Sequence, residues 1–256
     1  MSMLKKRIIA GVTIKENQVV QSIGYKNYLP LGKPSMFVQN LDRWQADEIL
    51  INVIDRSKFN KGPDLNLLKK LKNLNIQTPL IYGGGISKIE DAIQVIQLGA
   101  DRILIESLAH ENILELKKIS NKIGSQSIII SIPLSINKDN NLVFYDYKKK
   151  IEKKINESFF QEIDPSICSE LLIIDYLNQG TENGFNMKIL RKFSSDLPII
   201  LYGGIRKKKL IKEIIKIKKV SALTFGNSLS FEEHSIQKIK YISGKKYSRE
   251  PFFQDK

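Results

Sequence analysis

Apolar residues fall into two kinds of run along this chain. Short, nearly continuous blocks include Ile8-Ile9-Ala10-Gly11-Val12, Ile49-Leu50-Ile51, Leu80-Ile81-Tyr82, Ile103-Leu104-Ile105, Ile128-Ile129-Ile130, Leu171-Leu172-Ile173, Ile199-Ile200-Leu201 and Ala222-Leu223. Their length and continuity predict strands covered on both faces, as in a parallel sheet. Between them lie segments whose apolar positions recur every three or four residues, predicting helices over 34–45, 64–73, 88–98, 111–122, 154–164, 186–193, 206–218 and 231–242. The stretch 137–153, with Leu142-Val143-Phe144-Tyr145 among polar residues, reads as an extended loop or short hairpin after the fifth strand.

The pattern repeats. Pro79-Leu80-Ile81-Tyr82-Gly83-Gly84-Gly85-Ile86 returns 119 residues later as Pro198-Ile199-Ile200-Leu201-Tyr202-Gly203-Gly204-Ile205, and the same offset pairs Arg102–Ser107 with Ser221–Gly226. Lys6–Thr13 answers Gln126–Pro133 at 120, and Asp47–Ile51 answers Ser169–Ile173 at 122. Each half thus supplies four strands and four helices. Eight such units in 256 residues fit a (β/α)8 barrel, whose usual length is about 250 residues. A doubly wound open sheet is the alternative, but it has no need of two similar halves. The expected organisation is one barrel over 1–243 followed by a basic tail over 244–256.

Composition adds less. The chain carries 41 basic and 27 acidic side chains, a net charge of +14, which admits an anionic partner. Lys, Ile and Asn are all abundant, however, and the runs Lys148-Lys149-Lys150 and Lys207-Lys208-Lys209 lack the interleaved aromatics of a single-strand nucleic-acid groove. No nucleic-acid partner is expected. No apolar run approaches the roughly 18 residues of a membrane span, so no membrane partner is expected either. A single cysteine, Cys168, rules out an internal disulfide and fits a reducing, cytoplasmic setting. His110 and His234 are far apart, with no ligand spacing around them, and no metal or cofactor is expected.

In barrels of this class ligands sit at the carboxyl ends of the strands, often with a phosphate on a glycine-rich turn. The repeated glycines therefore predict two facing cradles, one of Gly84, Gly85 and Ser107, the other of Gly180, Gly203, Gly204, Gly226 and Asn227. Tight turns without a guest are the competing reading.

Read in order, Lys6-Arg7-Ile8-Ile9-Ala10, Ala46-Asp47-Glu48-Ile49-Leu50, Tyr82-Gly83-Gly84-Gly85-Ile86, Leu98-Gly99-Ala100-Asp101-Arg102, Gly124-Ser125-Gln126-Ser127 and Gln179-Gly180-Thr181 resemble the cyclase subunit family of imidazole glycerol phosphate synthase. The resemblance runs from Leu4 to about Phe231. It implies a histidine-pathway barrel that works with a glutaminase subunit on a substrate bearing a phosphate at each end. It also implies a ring of four charged residues gating ammonia at the amino-terminal rim, here Arg7, Glu48, Arg102 and Glu170, with Asp101 facing the glutaminase.

The departures lie at the other rim. The two aspartates that carry the family's acid–base chemistry fall on Thr13 and Pro133, neither of which exchanges a proton near neutral pH. Glu106, where the family has a phosphate-side asparagine, and Asp175 are the candidate catalytic substitutes. An anionic Glu106 would also repel a phosphate. This pattern resembles a subgroup of cyclase-like paralogues in which a glutaminase and a barrel supply ammonia to a separate N-acetyl-sugar amidotransferase, making an acetamidino group for surface polysaccharide. Three functions follow: an ammonia-handling subunit of an amidotransferase complex, a true cyclase using Glu106 or Asp175, and an inactive scaffold for the glutaminase.

Overall fold

The computed structural model describes residues 4–155 and 163–250. Its strands in chain order are β1 (Arg7–Lys15), β2 (Gln18–Ile23), β3 (Asn27–Gly32), β4 (Glu48–Val53), β5 (Leu80–Gly83), β6 (Arg102–Ile105), β7 (Ile128–Ile136), β8 (Leu142–Asp146), β9 (Ile151–Lys154), β10 (Glu170–Asp175), β11 (Ile199–Tyr202) and β12 (Val220–Phe225). Eight of them form a parallel sheet in the order β10-β11-β12-β1-β4-β5-β6-β7, and pairing of β10 with β7 closes it into the expected (β/α)8 barrel.

Among the described residues the helices flanking the barrel are α1 (Pro34–Arg43), α2 (Leu65–Lys72), α3 (Ile89–Gln97), α4 (Ser107–Glu111), α5 (Ile113–Ile123), α6 (Lys188–Lys192), α7 (Lys208–Ile214) and α8 (Ser235–Ser243). The helix expected over 111–122 is present as α5, and a further short helix, α4, precedes it. Asn112 leaves the helical conformation and its side chain accepts from the Glu115 N–H at 3.1 Å, capping α5 and ending α4. The helix expected over 154–164 falls largely outside the described residues, and Lys154 itself ends β9.

The remaining four strands form two hairpins at equivalent places. β1 runs on past the barrel and turns back antiparallel into β2 and β3. β7, the matching strand of the second half, runs on likewise into β8 and β9, so of the two readings for 137–153, extended loop or short hairpin, the structure has the hairpin. The two hairpins meet over the carboxyl-terminal mouth, where the rings of Tyr25 and Tyr145 lie edge to face at 6.1 Å and Tyr145 stacks on Tyr176 at 4.8 Å.

Two apolar cores follow from the alternation of side chains along each strand. Outward-facing residues such as Ile8, Ile49, Ile103 and Ile173 pack under the helices. Inward-facing Ile9, Leu50, Ile81, Leu104, Ile129, Leu172, Ile174, Ile200, Tyr202 and Ala222 fill the barrel, with every barrel strand contributing.

Cys168 is fully buried with its thiol pushed up to about 12, which suits a core side chain. Residues 244–250 return beneath the barrel, where the Lys6 N–H donates to the Tyr247 carbonyl and Ser248 is fully buried.

Candidate functional site

At the amino-terminal rim, Arg7, Glu48, Arg102 and Glu170 are the first residues of β1, β4, β6 and β10. Alternation turns all four side chains inward, beneath the inner apolar core. Each arginine reaches both glutamates. Arg7 lies 3.3 Å from Glu48 and 2.6 Å from Glu170, and Arg102 lies 3.4 Å from Glu48 and 2.8 Å from Glu170. Two cations and two anions thus close a four-membered ring across the barrel floor, which offsets the cost of removing each charge from water.

The ring has a tight corner and a loose one. Glu170 also accepts from the Ser221 hydroxyl, and Ser169 Oγ braces Arg102 at 2.7 Å. At Glu170 burial opposes ionisation, but the two arginines and these hydrogen bonds outweigh it and hold the carboxyl below its usual range. Glu48 has only the longer contacts, and its Oε2 lacks a hydrogen-bonding partner among the described residues. There burial prevails and its pKa is raised. Asp101, next to the ring on an exposed turn, accepts from the Leu80 N–H at 2.7 Å.

The opposite mouth is built differently. Thr13 and Asn52 are paired in register there, and Pro133 pairs with Ile174. Glu106 follows Arg102 and Leu104 on the inward face. Its Oε2 accepts from Ser131 at 3.2 Å, and its Oε1 is cut off from solvent without a hydrogen-bonding partner among the described residues. Burial, only partly offset by the Ser131 bond, pushes this carboxyl up to about 8. At neutral pH Glu106 is therefore largely protonated and can give or take a proton.

Asp175 is not brought to the mouth. Inward positions on β10 are Glu170, Leu172 and Ile174, so the next residue faces out. Its carboxylate, fully buried, accepts from Asn178 Nδ2 and from the Asn186 N–H, both at 2.8 Å, and pins the 178–186 loop.

Both glycine sets assemble as grouped in the sequence. Gly84 and Gly203 adopt positive φ at matched strand ends. A Cβ would lie 2.3 Å from the Val53 carbonyl oxygen at Gly84 and 2.6 Å from that of Asp175 at Gly203, so only glycine fits either place. The two cradles nonetheless differ greatly in size. Gly84, Gly85 and Ser107 border a cavity of about 600 Å³ with Glu106, Asn52, Asp55, Tyr25, Tyr145 and Tyr147. Gly180, Gly203, Gly204, Gly226 and Asn227 enclose only about 50 Å³.

One substitution within the repeat accounts for much of this difference. At the 119-residue offset Tyr202 corresponds to Gly83, not to Tyr82. Tyr82 points outward and its hydroxyl accepts from the Asp64 N–H at 2.6 Å. Tyr202 points inward, where its hydroxyl lies near Thr13 and Gln179 and rests against Gly226. Its ring occupies second-half space that is left to smaller groups in the first.

The tyrosines around the mouth were not among the residues singled out from the sequence. Tyr25 sits at a hairpin turn at positive φ, and Tyr147 follows β8. The only sequence signal was their place in segments flanking the first strand of each half.

Comparison with known proteins agrees with this architecture. Residues 7–235 match the family described as Histidine biosynthesis protein. The chain is 29% identical over 243 residues to the imidazole glycerol phosphate synthase subunit HisF of Staphylococcus saprophyticus, covering 93% of this chain and 96% of that one. It is 27% identical over 245 residues to the HisF subunit of Pyrococcus furiosus, covering 95% and 97%. A Campylobacter jejuni chain that bears the name imidazole glycerol phosphate synthase subunit hisF2 provisionally is 33% identical over 207 residues, covering 80% and 82%. A closed barrel of two similar halves, a full-length match and these relatives together place the chain in the HisF family of histidine-biosynthesis barrels.

Proposed function

We propose that this barrel is the ammonia-receiving subunit of a glutamine-dependent amidotransferase complex in the cytoplasm. A HisH-type glutaminase docks beneath the amino-terminal rim, next to Asp101, and releases ammonia under the ring of Arg7, Glu48, Arg102 and Glu170. Ammonia passes when the ring parts at its loose corner, Glu48. The acceptor is a sugar handled by a separate N-acetyl-sugar amidotransferase, which forms an acetamidino group for surface polysaccharide.

The closed ring carries this reading. Four charges that compensate one another across the floor of a barrel form a barrier to water and ions, yet one that small movements can open. The mouth supports the same division of labour, since Thr13 and Pro133 stand where proton-transferring aspartates would be needed for cyclisation. In a reconstituted complex, Glu48→Ala should change product formation from glutamine while leaving that from ammonium salt intact. Equal effects on both nitrogen sources, or no effect on either, would reject an ammonia route through the ring.

A second reading rests on Glu106, an inward-facing carboxyl at the mouth that burial keeps largely protonated. If the chain is a cyclase and lyase of histidine biosynthesis, it should turn over the bisphosphorylated ribulosyl-formimino-carboxamide intermediate with ammonium salt, and Glu106→Gln should abolish that turnover. We expect no turnover.

A further inference from the structure

Charge is unevenly spread around the carboxyl-terminal mouth. The strand-to-helix connections that border the larger cavity, 15–33, 54–64, 84–88, 106–112 and 137–154, carry nine exposed basic side chains against four exposed acidic ones. Those around the smaller cradle, 176–187, 203–207 and 226–234, carry two against three. Both sides are drawn from one lysine-rich chain, so composition alone does not account for the contrast.

The basic side is also apolar. Leu29, Leu31, Phe59 and Ile151 stand there 51, 36, 57 and 45% exposed, whereas the helix-to-strand connections of the opposite rim carry no exposed large apolar side chain among the described residues. Leu29 and Leu31 lie on β3 and Ile151 on β9, the outer strands of the two hairpins, each paired along one edge only. Phe59 is held out by a braced loop. Arg56 donates to the carbonyls of Gly62, Lys61 and Pro63 at 2.8, 2.9 and 3.0 Å, and the ammonium groups of Lys58 and Lys61 lie over the Phe59 ring at 5.5 and 5.1 Å.

An anionic small molecule inside the cavity would account for Lys15, Lys26, Lys58 and Lys150, which line it. It would not account for Lys33, Lys61 and Lys149, or for Leu29, Leu31 and Ile151, all of which lie outside that lining. Their occupant is larger. A nucleic acid would engage the lysines through its phosphates but offers aliphatic side chains little to pack against. An acidic protein face with an apolar centre matches both components.

We infer that this side of the mouth docks a protein whose contact face is acidic around an apolar centre, with Phe59 as the anchor. The partner's identity rests on the function proposed above: it is the N-acetyl-sugar amidotransferase, placed to take up ammonia where the barrel opens. The braced Phe59 loop keeps the ordering cost of such docking low.

The test titrates the purified amidotransferase onto the full-length barrel and maps the complex by lysine cross-linking. Binding should weaken as salt rises, and cross-links should form at Lys61 and Lys149. The combined change Lys33→Glu, Lys61→Glu and Lys149→Glu should weaken binding about tenfold, as should Phe59→Ala alone. Lys207→Glu, on the other side of the mouth, should leave it unchanged, and thermal unfolding verifies that each variant is folded. An amidotransferase that does not bind, that cross-links only elsewhere or that is indifferent to these substitutions would overturn the inference, as would an oligonucleotide that binds here in its place. The readout is binding, so docking without a Glu48 effect refutes the ammonia route alone, and a Glu48 effect without docking here refutes this inference alone.

Discussion

The two rims of this barrel treat buried charge in opposite ways. At the amino-terminal rim every charge has an opposite neighbour within 3.4 Å, so the charges of the ring compensate one another even though Glu48 Oε2 and the Nε of each arginine make no hydrogen bond among the described residues. At the carboxyl-terminal mouth Glu106 has one hydroxyl partner and an oxygen with none among the described residues. A cluster whose charges compensate one another is suited to staying shut until something forces it apart. A buried carboxyl with no ion-pair partner among the described residues instead shifts toward its neutral form, as Glu106 does.

This contrast can be broken most severely at Glu170. Glu170→Ala removes the tight corner and leaves Arg7 and Arg102 facing each other, and loss of one member of such a buried cluster typically costs about 3–5 kcal/mol. Because Arg7 keeps some solvent contact, we expect the lower end of that range, measured by chemical denaturation at pH 7. Glu170's depressed pKa adds a pH signature. Its stabilising effect is present above the unfolded carboxyl's pKa and is lost as pH falls through the lower folded value, so wild type and Glu170→Gln should converge in strongly acidic buffer.

Glu106 has the reverse sign. Its folded pKa is raised to about 8, so its favourable contribution is full below the unfolded value and disappears as pH rises toward 8. Glu106→Gln should therefore gain stability relative to wild type between pH 5 and pH 9, by on the order of 5 kcal/mol at the upper end. A flat difference across that range would mean that the carboxyl is solvated and that water fills the mouth, removing the contrast with the sealed floor.

The smallest effect should come at Tyr202. Tyr202→Phe removes a hydroxyl that lies near Thr13 and Gln179 but keeps the ring, so a loss of at most about 1 kcal/mol is expected. If the larger Tyr202→Ala change enlarges the second cradle in a crystal structure, the asymmetry of the two cavities is traced to that side chain.

The barrel was legible because its signals are local and repeated. Eight apolar blocks, eight periodic segments and a 119-residue echo required no knowledge of distant contacts. The charged ring was legible only through resemblance, since a charge at the start of a strand reads equally well as a solvated end. The mouth was least legible. Tyr82 and Tyr202 stand before look-alike glycines, yet a slip of one residue in a strand reverses the face a side chain takes. Tyr147 lines one cavity with Ser57 and Ser107 although it comes from the opposite half, a juxtaposition that exists only once the sheet has closed. Asp175 looked available as the last residue of β10, and the alternation of that strand turns it outward.

The paired hairpins have an evolutionary consequence. Each follows the first strand of its half and repeats the same two antiparallel turns, β1 into β2 and β3, β7 into β8 and β9. An ancestral gene encoding one such half would already have carried its own flap. Duplication then supplied two flaps, free to diverge into a clasp whose two sides evolve under different pressures.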